Sequence, residues 1–230
     1  MIRALVLAAC ALLLAGCVWS RLLDFKSQLK EFDRYFTPAD EAGALLLHCT
    51  EPCTRPGDFG YLLGDEEPTS RSAPAADGSE VWTWRLRRDR PDSIGLELTM
   101  AVKDGLTTAL RIPPEVLRFL PRDRFLAMAR AMGTAVIDRD KRQASTSLAG
   151  PDAKPLTPGR TKVLLALGEP DAVIPGDGSE ELLYIFRLQA ADGTPGPTTE
   201  LKLTMVGDRL TAIRLQAPNF SSWLKLGEQP

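Results

Sequence analysis

The most reactive side chains in this 230-residue chain belong to four cysteines and a single histidine. Three of these residues, His48, Cys49 and Cys53, follow one another closely in the segment HCTEPCTRPG. Nucleophilic catalysis by a Ser-His-Asp or Cys-His set needs a histidine beside the nucleophile, and His48 sits in a run typical of a strand. A structural zinc site needs four ligands, and no second histidine or acidic cluster accompanies the three residues. The segment therefore predicts neither a catalytic site nor a metal site.

Two interpretations are open for Cys49 and Cys53, which are four residues apart. In an extended segment their Cα atoms would lie about 13 Å apart, beyond the limit of roughly 7 Å for a disulfide. A turn at Glu51-Pro52 would close this distance, and an oxidising compartment would then favour the bridge. The alternative is two small apolar side chains on one face of a strand. Because the spacing is CxxxC rather than CxxC, a redox site is not predicted.

The N-terminus has the organisation of a secretory signal. Arg3 supplies a positive charge, and the apolar run at 4–14 is shorter than the roughly 20 residues of a membrane-spanning helix. The run ends in Leu-Ala-Gly-Cys at Cys17, which resembles the lipobox of bacterial lipoproteins. This resemblance implies cleavage before Cys17 and transfer of a diacylglyceryl group to its thiol. The alternative is an ordinary signal peptide in which Cys17 is incidental. Because Val18 and not Asp follows, resemblance to the enterobacterial sorting rule implies the outer membrane.

Charge and motifs exclude several classes of function. The formal net charge is −2, from 28 basic and 30 acidic residues, so a nucleic-acid partner is not predicted. The chain contains neither G-x-S-x-G nor a Walker A motif. The tetrapeptide Asp-Gly-Ser-Glu occurs twice, but it lacks the alternating oxygen ligands of a calcium loop and predicts a turn that enters a strand. We therefore predict no catalytic residue, no metal and no cofactor.

The sequence also repeats itself. Asp-Gly-Ser-Glu at 77–80 recurs at 177–180, and LELTMAVKDGLTTALR at 96–111 recurs as ELKLTMVGDRLTAIR at 200–214. A Leu-Gly pair precedes each copy, at Leu63-Gly64 and Leu167-Gly168. Alternate residues of the strand after each tetrapeptide share an apolar face: Trp82, Trp84 and Leu86 in the first copy, and Leu182, Tyr184 and Phe186 in the second. The long offset indicates a domain duplication and not a solenoid repeat.

Each copy predicts a short helix that ends in Leu-Gly, then a loop and three strands in an antiparallel meander with one apolar face. Amphipathic helices at 24–36 and 121–132 supply a cover for this face. In the first helix the apolar stripe consists of Phe25, Leu29, Phe32 and Phe36. In the second, Pro121 suits the start and Gly133 the C′ stop. The predicted fold is α+β, with two tandem modules, each an antiparallel three- to four-stranded sheet covered on one face by helices.

The second copy supports a family resemblance. TPGRTKVLLALGEPDAV, then a turn, ELLYIFRL and LKLTMVGDRLTAIRL are similar to the SmpA/OmlA (BamE-like) outer-membrane lipoproteins. The resemblance covers 158–215 well and 56–112 more loosely. A tandem of such modules also resembles the architecture of β-lactamase inhibitor proteins. The resemblance implies a sheet-and-helix module that binds other proteins without catalysis, and it carries over no binding residue. The family usually has one module, whereas this chain has two.

The predicted organisation follows from these segments. Residues 1–16 form a lipoprotein signal peptide, 17–24 a lipid-anchored tether, 25–112 the first BamE-like module, 113–218 the second, and 219–230 a C-terminal tail. The tail could pack on the sheet or serve as a short partner motif. Arg85, Arg87, Glu97 and Lys103 are expected on the sheet face opposite the tryptophans, where they form either a solvated face or a docking surface.

We therefore predict a non-catalytic protein-interaction or envelope-assembly factor. It is anchored in the outer membrane through the lipid on Cys17, faces the periplasm and binds an envelope protein. One alternative is an inhibitor of a periplasmic enzyme, in which a protruding loop such as 65–77 enters the partner, by fold analogy with the tandem inhibitors. The other is a small-ligand-binding protein or enzyme that uses the groove between the modules.

The lipobox generates the first prediction. Cys17→Ser should leave the precursor uncleaved and unlipidated, because the hydroxyl does not replace the thiol as the lipid acceptor. Radiolabelled palmitate incorporation and the size of the chain on a gel measure both effects in cells, with Cys10→Ser as the matched control. Normal lipid labelling of Cys17→Ser would show that the chain is not a lipoprotein anchored at this residue.

Overall fold

The structure is a computed structural model that describes residues 18–90, 94–148 and 158–226. Within these ranges six helices are present: α1 at 18–30, α2 at Phe32–Tyr35, α3 at Pro56–Leu62, α4 at Pro114–Phe119, α5 at Arg122–Met132 and α6 at Arg160–Leu167. Thirteen strands accompany them: β1 Phe36–Glu41, β2 Ala44–Cys49, β3 Ser70–Arg71, β4 Glu80–Arg87, β5 Leu96–Lys103, β6 Leu106–Ile112, β7 Val136–Asp138, β8 Gln143–Leu148, β9 Ala172–Pro175, β10 Glu180–Gln189, β11 Pro195–Val206, β12 Arg209–Ala217 and β13 Phe220–Leu226.

All thirteen strands belong to one continuous mixed sheet, so the prediction of two modules with separate small antiparallel sheets is wrong. The order is β1-β2-β6-β5-β4-β10-β11-β12-β13-β8-β7, with β3 on β4 and β9 on β10. β4 and β10 are the aromatic strands of the two copies, and they pair with each other. The physical reason is that a meander ends in a strand with unpaired N–H and C=O groups, and each copy satisfies the edge of the other.

The two halves of the sheet repeat the same order of elements. Each half has a helix, a hairpin, a short helix that ends in Leu-Gly, a short strand and three long strands. At the junction Arg87 pairs with Arg187, its own counterpart in the repeat, so an approximate two-fold axis passes through this pair. The second half departs from the first because β13 lies between β12 and β8, parallel to β8. This strand lies within the segment predicted as a tail.

The core lies on one face of the sheet, and the predicted strand alternation is confirmed. Trp84 is 1% exposed and Tyr184 is 0% exposed, and both belong to a single hydrophobic cluster that spans both halves. Helical residues pack on this face. Those in the cluster include Phe32, Phe119, Leu126, Val163 and Ala166. Trp82 is only partly buried at the margin of this cluster.

The first helix differs from its predicted bounds. It begins by residue 18, breaks at Glu31 and resumes as α2, and Phe36 already starts β1. The predicted apolar stripe is nevertheless retained, because Phe32 and Phe36 are buried and Phe25 packs against Phe36 edge to face at 6.0 Å between ring centroids. The strand starts this early because Phe36 pairs with Cys49 in the β1–β2 hairpin.

Gly133 ends α5 as predicted, but for a different physical reason. Its φ is −61°, in the right-handed region, so no left-handed turn requires a glycine there. Instead, a Cβ on Gly133 would collide with the backbone of Leu29 and Lys30 in α1. The small residue lets the two long helices cross closely, and the ion pair between Arg130 and Asp33, 2.6 Å, lies beside the crossing.

Each half also contacts the C-terminal end of the Leu-Gly helix in the other half. The Arg88 side chain, 1% exposed, donates to the carbonyl oxygens of Leu167 at 2.9 Å and Glu169 at 2.5 Å. In the other direction, Asn219 Nδ2 donates to the carbonyl oxygen of Tyr61 at 2.9 Å. The C-terminus of a helix exposes unpaired carbonyl oxygens and carries a partial negative charge. A buried arginine at this position donates hydrogen bonds to the carbonyls and places its positive charge beside the negative one.

Asp171 completes the buried site around Arg88. Its carboxylate accepts hydrogen bonds from Arg88 Nη2 at 3.0 Å and from the backbone N–H of Ile185 at 2.7 Å. Partial burial opposes the ionisation of Asp171, but the bonds from Arg88 and Ile185 and the charges of Arg88 and Arg90 outweigh it and hold its pKa below the ordinary value. Burial raises the pKa of Tyr184 to about 12, so its hydroxyl stays protonated and donates to the Gly168 carbonyl at 3.2 Å.

Removal of the Arg88 side chain should therefore destabilise the junction strongly. Arg88→Ala removes the buried partner of the Asp171 carboxylate and the donor to two helix-end carbonyls, and we expect a loss of about 3–5 kcal/mol of unfolding free energy. Urea unfolding followed by circular dichroism measures this loss. The control is Arg187→Ala, which removes a half-exposed ion pair with Asp89 and should cost no more than about 1 kcal/mol. Equal losses for the two variants would contradict the role of Arg88.

The lowered pKa of Asp171 predicts an acid-dependent loss of stability. A carboxyl whose pKa is depressed on folding contributes its full stabilisation above the unfolded pKa of about 3.9, and this is lost as the pH falls through the folded pKa. The difference in unfolding free energy between the wild type and Asp171→Asn should thus stay constant from about pH 7 to 5 and shrink below about pH 4. Urea unfolding at several pH values measures it, and a difference unchanged at about pH 3 would contradict the prediction.

Candidate functional site

The face of the sheet opposite the core is open in the first half and forms a broad concavity of about 540 Å³. Small side chains form its floor: Thr99, Ala101 and Ala109 lie beside Val81, which is 45% exposed. The register places Val81, Ala101, Ala109 and His48 in one row across β4, β5, β6 and β2. We call this surface, with its rim, the concave face.

The rim of the concave face carries larger and charged side chains: Glu41, Leu46, His48, Lys103 and Arg111. Lys103 forms an ion pair with Asp77 at 3.6 Å. The rim therefore carries both signs of charge around an apolar and neutral floor. Such a combination of a low-polarity centre and a polar rim is characteristic of surfaces that bind other proteins.

A disulfide lies at one end of this rim. Cys49 and Cys53 are bonded, with their Cα atoms 5.8 Å apart, because bends at Thr50 and Glu51 return the chain on itself. Backbone hydrogen bonds then attach this segment to β6, from Cys53 N to the Thr107 carbonyl at 3.2 Å and in return from Thr107 N to Thr54 at 2.9 Å. Both thiols are used in the bridge, so neither can serve His48 as a partner in metal binding. Within the described residues, no group of three metal-binding side chains occurs.

A second cavity, of about 360 Å³, adjoins the concave face near the junction of the two halves. We call it the arginine cavity. Its lining includes Arg85, Arg87, Glu97, Arg111, Pro113 and Glu115. Arg85 Nε pairs with Glu97 Oε1 at 2.9 Å, and Arg87 Nε donates to the Gln189 side chain at 3.3 Å. Among the residues that the structure describes, Arg111 has no ion-pair partner.

The positive charge is reinforced at the approximate two-fold axis. Arg87 and Arg187 lie directly opposite each other on adjacent antiparallel strands, an arrangement that is destabilising for like charges. Among the residues that the structure describes, one carboxylate, that of Asp89, contacts Arg187, at 3.4 Å. The prediction that Arg85, Arg87, Glu97 and Lys103 lie on the face opposite the tryptophans is confirmed by the strand register and by their exposure.

Arg111 is the residue of this site that the sequence did not identify. It belongs to β6, whose pairing with β5 shifts register between Ala101 and Val102. This irregularity moves Arg111 opposite Thr99, on the open face, next to Glu97 and Arg85. Period-two alternation within β6 carries no information about this shift, so only the strand pairing reveals the cluster.

Cys17 lies outside the described residues, but the helix that follows it is held tightly. Arg21 in α1 forms a two-pronged ion pair with the fully buried Asp58 of α3, with Nε at 2.9 Å and Nη2 at 2.6 Å from Oδ1. Thr54 Oγ1 donates to the same carboxylate at 3.0 Å. Residues 18–24, predicted as part of a tether, are helical and attached to the body of the protein. Among the described helices, none combines the length and apolar character of a membrane span.

The loop 65–77, considered as an inhibitory element, is partly incorporated in the sheet. β3 pairs with β4, and Thr69 Oγ1 bridges the halves by donating to the Gln189 carbonyl at 2.5 Å and accepting from Arg85 N at 3.0 Å. Residues 71–78 are exposed and contain the turn at 76–78 that leads to β4. At the junction of the halves, paired strands occupy the place where the sequence suggested a groove between separate modules.

Comparisons of this chain with protein-family models, with curated proteins and with solved structures find no match. The resemblance to the SmpA/OmlA lipoproteins and to the tandem inhibitors therefore stays a prediction from the sequence. Function has to be inferred from the concave face, the arginine cavity and the N-terminal segment.

Proposed function

We propose that this chain is an outer-membrane lipoprotein, anchored at Cys17 and facing the periplasm, that binds another envelope protein through the concave face without catalysis. The observation that carries the proposal is the concavity of about 540 Å³ on the open side of the sheet, with its floor of small residues and its rim of both charges. The signal peptide predicted at 1–16 and the Leu-Ala-Gly-Cys sequence that ends at Cys17 support the proposed lipid anchor.

The width of the concave face suits a macromolecule. The row from Val81 to His48 crosses four strands, and three inter-strand spacings amount to about 14 Å. This width accommodates a loop or a helix, whose diameter with side chains is about 10–12 Å. The short side chains of Ala101 and Ala109 leave room for the partner to approach the sheet backbone closely.

The position of α1 favours presentation of this surface at a defined distance from the membrane. The ion pair between Arg21 and Asp58 attaches the helix to the body only four residues after the proposed lipid site. A lipid on Cys17 would then hold the whole sheet close to the bilayer instead of at the end of a flexible linker. Such proximity suits a partner that is itself embedded in or bound to the same membrane.

Site-specific crosslinking in intact cells tests the proposed surface. A photo-reactive residue at Val81 or Thr99 should form an adduct with one and the same partner, because both side chains face the concavity. The same residue at Leu165, which is 79% exposed on α6 on the other side of the sheet, is the control and should give no such adduct. Ala101→Trp, which fills the floor, should suppress the adduct at Thr99. Equal adducts from Leu165, or none from the concave face, would contradict the proposal.

A small anionic ligand is a second candidate, favoured by the three arginines of the arginine cavity. In that case the chain would act as a carrier, and free carboxylates or phosphate would bind at low concentration without any protein partner. Titration of the purified chain with succinate and with inorganic phosphate, followed at the arginine side chains by NMR, distinguishes the two functions.

A further inference from the structure

We propose that the arginine cavity recognises a single carboxylate side chain, flanked by apolar residues, on the protein that occupies the concave face. This inference rests on the proposed function and adds the chemical class of the partner segment. The cavity and the concave face adjoin at Arg111, which lines both. A protein segment lying on the concave face therefore reaches the arginines without any change in the sheet.

Arg111 is the residue best placed to bind the carboxylate. Arg85 is already paired with Glu97 at 2.9 Å, and Arg87 bonds to the Gln189 amide oxygen. Arg111 is half-buried on β6 and has no ion-pair partner among the described residues. A guanidinium group presents two parallel N–H donors that match a carboxylate, and this geometry provides both affinity and orientation.

The charge balance favours one carboxylate over a multiply charged anion. Three arginines and two glutamates line the cavity, so its formal charge is 3 − 2 = +1. Glu97 and Glu115 would repel the further negative charges of a phosphate group, whereas a single carboxylate neutralises the cavity. Arg187, opposite Arg87, lies outside the cavity and extends the positive region toward the second half.

The apolar part of the lining provides for the stem of the bound side chain. Pro113 and Pro114 line one side of the cavity. Methylene groups of a Glu side chain, or a neighbouring apolar residue, would pack there while the carboxylate reaches the guanidinium groups. Inorganic phosphate has no apolar group to place against these prolines.

Two peptides that differ in one charge test the inference. The full-length chain, purified in detergent with 15N-labelled arginine, is titrated with Ac-Ala-Leu-Glu-Leu-Ala-NH2 and with the same peptide carrying Gln. We expect the Glu peptide to shift the Arg111 Nε–H signal and to bind at least about tenfold more tightly than the Gln peptide, because a charged hydrogen bond is lost in the latter. Added salt should weaken this binding.

Variants of the chain locate the effect. Arg111→Ala should lower the affinity for the Glu peptide by about tenfold or more, and Arg111→Lys should retain part of it, because the charge remains without the paired donors. Arg118→Ala is the matched control, since Arg118 is exposed on α4 outside the cavity, and should leave the affinity unchanged. Circular dichroism verifies that each variant is folded. If Arg111→Ala does not fold, the affinity of Arg111→Lys for the Glu peptide still tests the inference.

Several outcomes would overturn the inference: equal affinities for the Glu and Gln peptides, unchanged affinity in both Arg111 variants, or tighter binding of succinate or inorganic phosphate than of the Glu peptide at the same signals. A negative result in the peptide titration can be distinguished from a failure of the proposed function in the crosslinking experiment. Adducts at Val81 and Thr99 together with a negative peptide titration would leave the proposed function intact and refute only the carboxylate site.

Discussion

The insertion of Arg88 into the second half is the interaction on which the rest of the structure depends. Its guanidinium satisfies the end of α6 and the Asp171 carboxylate, and Asn219 bonds in return to the end of α3. These contacts flank the short ladder between β4 and β10. Three backbone pairs alone would form a weak hinge, but buried polar contacts on both sides oppose rotation about it. The two halves therefore share one continuous sheet.

Because the helices pack on one side of the sheet, its other face is open in the first half. The apolar side chains of both halves point to the helical side, where Trp84, Tyr184 and Phe186 share one cluster. The open face carries small and charged residues instead, and so does not require a cover to be stable in water. The exposure of Arg85 and Arg87 on β4 follows from the same alternation that builds the core, whereas Arg111 joins them through the register shift between β5 and β6.

Much of the local structure could be predicted from the sequence. The strands containing Trp84 and Tyr184, the helix ends at Gly64 and Gly168 and the apolar stripe of Phe25 and Phe32 all follow from patterns within about ten residues. Gly64 and Gly168 have φ values of +103° and +74°, which explains why glycine stands at both helix ends. α4 was missed because it is short and lies between prolines, where no helical period can be recognised.

The sequence by itself thus determined which residues of the repeated strands face the core and where α3, α5 and α6 end, because these features depend on neighbouring side chains along the chain. The tertiary structure alone decided that β4 pairs with β10, that β13 enters beside β8 and that Arg111 joins Arg85 in one cavity. Edge pairing is made by backbone groups that all residues except proline share, so side-chain patterns do not specify the partner strand. The candidate site depends on those pairings and was therefore visible only in part before the fold was known.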